Sequence, residues 1–250
     1  MKKASLTVVC VSDSHSRKEW DKNIPPGDIL IHCGDFTLWG DHHQIYEFVK
    51  QFTSLPHKYK ILIAGNHDIS MDTNKYNKLL PYYSKKVGAL FKKDPFMTKK
   101  LVTHNKNIIY LENESVEIEG YKFWGSPLTP IFFDNAFQYE NDVLLKTWKS
   151  IPVNIDVLIT HGPAYGHRDL AHSGTRAGCP LLESEIVSRI KPKYHICGHI
   201  HEGYGIEEDS GTTYINCCIV NRSYKCVHKP IVFELPKIGS ENIASQNPKL

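Results

Sequence analysis

Five short apolar runs recur along the chain, and each closes on a polar cluster. Residues 6–11 lead into Ser12, Asp13, Ser14 and His15. Residues 28–33 lead into Gly34 and Asp35, and residues 59–64 into Gly65, Asn66, His67 and Asp68. Residues 155–160 lead into His161, Gly162 and Pro163, and residues 194–197 into Gly198, His199, Ile200 and His201. The runs are rich in Val, Ile and Leu, as strands buried on both faces are. Gly198 and Gly203 bracket the last cluster, and that freedom predicts a tight loop carrying two imidazoles.

Between the runs the period changes. Asp41 is placed to cap a helix over residues 42–53, with Ile45, Phe48, Val49 and Phe52 on one face. That helix returns the chain to the third strand as a βαβ unit. Residues 74–105 are Lys- and Tyr-rich, with helical spacing at Leu79, Tyr83 and Val87, and predict two surface helices with a solvated lysine face. Residues 108–111, 115–118 and 121–124 are short and alternating, and read as antiparallel strands of a second sheet. Residues 140–149 read as a helix. Pro180 suits the first turn of another, running to about residue 190. Residues 212–217 and 231–235 read as closing strands. From about residue 237 the chain is polar, so the expectation is one domain, 1–250, with its core at about 6–235 and a frayed tail. By itself this pattern gives α/β with an added antiparallel part.

In open α/β sheets, sites form outside the carboxyl ends of strands. A lone His or Asp after a strand is ordinarily a turn or cap residue. Five clusters of oxygen and nitrogen donors, all at strand ends, point instead to a metal centre. The candidate ligands are Asp13, His15, Asp35, Asn66, His161, His199 and His201. Seven ligands are too many for one ion and suit two, the arrangement that clamps both oxygens of an in-line displacement. Carboxylate, amide and imidazole donors without thiolate suit manganese, taken here as the first expectation, or iron or zinc.

The order Asp-x-His, Gly-Asp, Gly-Asn-His-Asp, His-Gly, Gly-His-x-His resembles the calcineurin-like metallophosphoesterase superfamily, over residues 6–235. The stretch from His161 through Ala164, Tyr165, Gly166, His167, Arg168 and Asp169, followed by Arg176, Ala177, Gly178 and Cys179, is similar to the metallophosphoesterase-domain-containing (MPPED) branch, which resembles class III cyclic nucleotide phosphodiesterases. The resemblance implies a four-layer αββα sandwich of two mixed sheets flanked by helices. It implies two divalent ions, one held by Asp13, His15, Asp35 and His201, the other by Asp35, Asn66, His161 and His199, with Asp35 as the bridge. It implies hydrolysis of a phosphoester by a water shared between the ions. His67, next to Asn66, is then the expected general acid, its pKa lying near operating pH.

The chain departs from the superfamily's protein phosphatases, which carry Gly-Asp-x-x-Asp-Arg-Gly. Here the segment is Gly34, Asp35, Phe36, Thr37, Leu38, Trp39, Gly40: the carboxylate that would orient His67 is replaced by Leu38, and the Arg is missing, as is the Arg expected soon after Asn-His. A phosphomonoester dianion favours such bidentate clamps, so a phosphodiester is the expected substrate, cyclic nucleotides among them. His167, Arg168 and Arg176, in the long loop that begins beside His161, are the candidate substrate-binding residues. The aromatic stretch 124–139 offers rings for packing or for stacking a base.

Composition narrows the alternatives. The 250 residues are 41% hydrophobic and 23% charged, as in a soluble globular protein. A net charge of +3 is too slight for a nucleic-acid surface, which weighs against a nuclease. Every ligand position is filled, which weighs against a non-catalytic scaffold. No run approaches a membrane span. Met1, Lys2 and Lys3 faintly resemble a signal peptide, but cleavage would remove Asp13 and His15. Several of the seven cysteines lie inside expected strands, as small hydrophobes do, and a reducing compartment, the cytoplasm, is expected.

Overall fold

The computed structural model describes residues 5–92 and 94–236; the expected tail from about 237 and the first residues lie outside that range. In chain order it begins with β1 (Ser5–Val11), β2 (Ile29–Cys33), α1 (His42–Ser54), β3 (Tyr59–Ile63), α2 (Tyr76–Val87), α3 (Pro95–Thr103) and β4 (Ile109–Tyr110). It continues with β5 (Glu114–Ile118), β6 (Tyr121–Ser126), β7 (Thr129–Pro130), β8 (Gln138–Tyr139), α4 (Asn141–Lys149), β9 (Val157–Thr160) and α5 (Pro180–Glu185). It closes with β10 (Tyr194–Cys197), β11 (Gly205–Asp209), β12 (Thr212–Asn216) and β13 (Ile231–Pro236).

Two mixed sheets carry the fold. One is five-stranded, in the order β13-β1-β2-β3-β4; the other is six-stranded, in the order β11-β12-β10-β9-β6-β5. Antiparallel partners occupy three of the four edges: β13 against β1, β11 against β12, and β5 against β6. The parallel strands are buried on both faces, which is why their sequences do not alternate. One face, with Val8, Cys10, Ile29, Ile31, Ile61 and Ile63, meets Phe123, Val157, Ile159, Ile196 and Ile215 of the other sheet. The outer faces meet helices. On one side the His32 ring of β2 stands edge-on to Phe48 of α1, with centroids 5.1 Å apart. On the other, Trp124 of β6 packs edge-on against Trp148 of α4 at 6.2 Å. The result is helix, sheet, sheet, helix, the expected αββα sandwich.

Asp41 caps α1 as its position predicts, accepting from the backbone N–H groups of His43 and Gln44 at 3.0 and 3.1 Å, and Ile45, Phe48, Val49 and Phe52 are buried. Pro180 opens α5, which continues as a π-turn over Ile186–Ile190 and stops at Lys191, with φ 48°. One expectation is corrected. Residues 108–111 do not join the second sheet as an antiparallel strand. β4 lies parallel to β3 at the edge of the first sheet, with α2 and α3 in its crossover. Both its residues are half-buried, and the alternating pattern reports that edge exposure, which is the same for either sheet.

Candidate metal centre

The two sheets bring their strand ends together. Asp13 and His15 follow β1, Asp35 follows β2, Asn66 and His67 follow β3, His161 follows β9, and His199 and His201 follow β10. The turns that hold them are tight. Asp13, His15, Asp35 and His199 all have left-handed backbones, with φ 58°, 42°, 53° and 65°. Such conformations in non-glycine residues gather at functional sites, where surrounding bonds over-determine them. Here those bonds zip the first two turns together: Asp13 N–H donates to Gly34 O at 3.0 Å, and His15 N–H to Asp35 O at 3.0 Å. Gly198 is required for close approach, since a Cβ there would fall on Ser12 Oγ and Asp13 Oδ2. The His199 N–H donates to that same Asp13 Oδ2 at 2.9 Å, joining the two sheets at the site.

The side chains form two donor sets. In the first, His15 Nε2 lies 3.3 Å from His201 Nε2 and 3.7 Å from Asp13 Oδ1, and His201 Nε2 lies 3.6 Å from Asp13 Oδ1. In the second, His161 Nε2 lies 3.4 Å from Asp35 Oδ2 and 3.0 Å from Asn66 Oδ1, and His199 offers a fourth ligand atom. Ligands about 2.1 Å from a common cation, at angles of 90–120°, stand about 3.0–3.6 Å from one another. Asp35 Oδ2 is near both sets, 3.4 Å from His161 Nε2 and 3.8 Å from His15 Nε2.

The chemistry of these donors calls for cations. Asp13 Oδ1 is buried and has no hydrogen-bond partner among the described residues. His15 Nε2 and His201 Nε2 face each other at 3.3 Å, a spacing that suits two ligands of one cation as well as an N–H···N hydrogen bond. Burial opposes the Asp35 charge, yet the imidazoles of His161 and His67 hold its carboxyl well below the usual range. Burial likewise opposes protonation of His161, but the Asp35 charge lifts it to about 9. His15 and His199 are driven down to about 3 and about 4 by burial. The His161 ring is also held in place: its Nδ1–H donates to Cys33 O at 2.8 Å, which turns Nε2 toward Asp35 and Asn66, the arrangement usual in metal-binding histidines. The residues therefore fit divalent ions.

Beside these donors opens a cavity of about 620 Å³, reached by Asp35, Asn66, His67, His199 and His201. A sequence model of the calcineurin-like phosphoesterase family matches residues 6–203. The chain belongs to the calcineurin-like phosphoesterases. Among relatives in this family, human metallophosphoesterase domain-containing protein 1 is 40% identical over 233 residues, covering 91% of this chain and 70% of its own length. The Caenorhabditis elegans UPF0046 protein K07C11.7 is 36% identical over 233 residues, covering 93% and 76%. A solved structure with 16% identity superposes with a TM-score of 0.60 over 85% of this chain and 90% of its own, which shows the shared fold. Members of this family use divalent metals, and the clustered donors here suit them.

Within this family's fold, His67 lies against both donor sets, with a ring nitrogen within 4.8 Å of ligand atoms of His15 and Asp35. Its ring stands edge-on to His15 at 4.7 Å. Its backbone N–H donates to Asp35 Oδ1 at 2.8 Å, and its Nδ1–H donates to the Leu38 main-chain carbonyl at 2.9 Å. The backbone of Leu38 thus takes over the orienting task for which the side chain at that position is unsuited. Asp68 is engaged elsewhere. Its carboxylate accepts from Thr37 N and Thr37 Oγ1 at 2.9 and 2.6 Å and from Gly65 N at 2.8 Å, tying the β2 and β3 turns together.

The three loop residues expected at the substrate separate. Arg176 lines the cavity, with its guanidinium donating to Asp169 Oδ1 and to Gly166 O, each at 2.7 Å. Arg168 does not line it. Its guanidinium donates to the carbonyls of Gly203, at 2.9 Å, and Tyr204, so it locks the loop against the turn after β10. His167 is also turned away from the cavity. It is stacked on Tyr214 at 3.7 Å and held between Glu207, at 2.6 Å, and Glu183, at 3.2 Å. Local backbone and carboxylate partners thus occupy the polar atoms of Arg168 and His167, which sit apart from the cavity. Arg222 and Tyr224, which the sequence did not bring forward, line the cavity, as do Phe132 and Phe133 from the aromatic stretch 124–139. Of the aromatic stretch, Trp124 and Phe137 are core, whereas Phe132 and Phe133 are 72% and 76% exposed. Gln138 Oε1 accepts from the N–H groups of Phe132, Phe133 and Asn135, at 3.2, 3.1 and 3.1 Å, and so fixes the loop that presents them. Only this exposure could have singled the two rings out, and sequence does not show it.

Proposed function

We propose that the chain is a dinuclear metal-dependent phosphodiesterase acting on small phosphodiesters, cyclic nucleotides among them. The observation that carries the reading is Asp35 Oδ2, one carboxylate oxygen within 3.8 Å of the imidazole nitrogens of both donor sets. Two bound divalent cations, manganese first among the candidates and iron or zinc after it, would acidify a shared water and neutralise charge on a phosphoryl oxygen. The remaining work falls to the chain. Asp13, His15 and His201 would hold one ion, Asn66, His161 and His199 would hold the other, and Asp35 would serve both. His67, with Nδ1–H fixed on Leu38 O, presents Nε2 toward the centre and holds a proton for the leaving oxygen.

The cavity supports a small substrate. A volume of about 620 Å³ is that of a small-molecule pocket. Arg176 is neutralised in part by Asp169, and Arg222 has no hydrogen-bond or ion-pair partner among the described residues. One uncommitted guanidinium matches a monoanionic diester better than a dianionic monoester. Phe132 and Phe133 give the organic group an apolar wall, against which a planar base can lie. The seven free thiols fit a cytoplasmic setting, and among the described residues no helix is long and apolar enough to cross a membrane.

The test is metal analysis followed by hydrolysis of bis(p-nitrophenyl) phosphate. The reading expects two divalent ions per chain, loss of turnover on chelation and recovery on adding Mn²⁺. Full turnover by metal-free protein refutes it.

A further inference from the structure

Metal-binding histidines ordinarily donate their second ring N–H to a carbonyl or carboxylate, which fixes the ring's rotation. His161 does so through Cys33 O. His15 does not: its Nδ1 is buried and has no hydrogen-bond partner among the described residues. Yet its Nε2 is aimed at Asp13, Asp35 and His201. What holds the ring is therefore packing. His67 and Tyr224 both stand edge-to-face with His15, each with centroids 4.7 Å apart and with planes at 84° and 81°, and Tyr224 alone of the two is also edge-to-face with His201, at 5.2 Å and 89°.

The chain goes to some lengths to place that ring. Tyr224 has a left-handed backbone, φ 57°, which is costly for a bulky aromatic residue. A compact turn imposes it. Tyr224 N–H donates to Asn221 O at 2.8 Å, Asn221 N–H to Lys225 O at 2.9 Å, and Asn221 Oδ1 accepts from Ser223 N and Lys225 N at 3.0 and 3.1 Å. The flanking residues Val220 and Cys226 pair across its base. The bonds of this turn run between main-chain atoms and Asn221 Oδ1, so none of them needs the Tyr224 ring, which is turned to the histidines instead.

We infer that Tyr224 is a positioning residue for the cation site of Asp13, His15 and His201, its ring fixing the His15 imidazole in place of the hydrogen bond that Nδ1 lacks. The inference rests on the two-ion reading above. It acts through His15, so it predicts selective weakening of one ion and leaves the site of Asn66, His161 and His199 alone.

The experiment is equilibrium dialysis of the full chain against graded free Mn²⁺, with bound metal counted by mass spectrometry. Wild type binds two ions. Tyr224→Ala weakens one of them by roughly 10–100-fold, the usual effect of removing a group that orients a ligand, and leaves the other unchanged. Tyr224→Phe, which keeps the ring, restores both. In a His15→Ala background, Tyr224→Ala costs clearly less affinity than in the wild type, because only its contact with His201 remains. If Tyr224→Ala fails to fold, as read by its thermal transition, Tyr224→Leu carries the same expectation. Wild-type affinity for both ions in Tyr224→Ala, full additivity with His15→Ala, or equal loss in Tyr224→Phe overturns the inference alone. A wild-type chain that binds fewer than two ions overturns the two-ion reading, and the inference falls with it.

Discussion

His67→Ala separates proton transfer from metal binding. The substitution removes the imidazole and its 2.9 Å hydrogen bond to Leu38 O, but keeps the backbone N–H that donates to Asp35 Oδ1 at 2.8 Å. The Asp35 carboxylate therefore stays anchored, and both ions should remain. Loss of a positioned general acid costs about 10²–10⁴-fold, or about 2.7–5.4 kcal/mol of barrier at 1.36 kcal/mol per decade. That loss should depend on what leaves. A nitrophenolate departs readily without a proton, so bis(p-nitrophenyl) phosphate should lose little. A ribose alkoxide departs poorly, so a cyclic nucleotide should show the full effect. The Leu38 carbonyl is a neutral acceptor, which supports imidazolium less than a carboxylate would, and places the expected loss toward the lower end of the range. The assay is kcat for both substrates on Mn²⁺-loaded protein, with metal counted in each sample. Equal losses with two ions retained would mean that His67 positions the phosphate. Loss of an ion would mean that it is a ligand.

Asp35→Asn should lose more metal and more turnover than Asn66→Ala, because Oδ2 serves both donor sets; near-normal metal and kcat in Asp35→Asn would remove the bridge. The kcat/KM for bis(p-nitrophenyl) phosphate should exceed that for p-nitrophenyl phosphate at one pH and with one metal, and the reverse order refutes the diester preference. Gly65→Ala should lose metal, since its Cβ would fall on Asp35 N and Oδ1 and reach His161 Cε1 at 2.6 Å; two ions bound at wild-type affinity would contradict that crowding. His195 is held down to about 3, by burial and then by the charge of His167, so it stays neutral in the fold while the unfolded chain takes up its proton below about 6.5. Its contribution is complete above that pH and is lost as pH falls toward 3. In metal-stripped protein, His195→Gln should flatten the slope of unfolding free energy against pH there by up to about 1.36 kcal/mol per pH unit, and unchanged slopes in urea melts refute it.

Much of the site was legible because burial on both faces writes the parallel strands as unbroken apolar runs, and each ligand follows such a run directly. The capping of α1 by Asp41 was legible for a similarly local reason. Sheet membership was not, since β4 is half-exposed at an edge and its pattern is the same in either sheet. Nor could sequence distinguish Arg168 from Arg176. Both sit in one loop, and only backbone geometry shows that Arg168 faces the carbonyls of Gly203 and Tyr204. The missing carboxylate at Leu38 was visible, but its replacement is a main-chain atom, to which a side-chain pattern is blind. Tyr224 and Arg222 were missed because they reach the site on a short turn near the end of the chain, far in sequence from every ligand.

The donor sets draw on both sheets at once: Asp13, His15, Asp35 and Asn66 come from one, and His161, His199 and His201 from the other. Each bound ion would therefore act as a rivet through the sandwich, closing a loop of most of the chain in a protein whose seven cysteines form no such link. Metal that binds the folded chain and not the unfolded one adds its free energy to the fold. The coupling also runs the other way. A substitution in the apolar layer between the sheets, remote from any ligand, that lets one sheet slip by a fraction of an ångström would misalign the halves of each site. Such a variant would reveal itself first as a leaky metal site, while its secondary structure still looked intact.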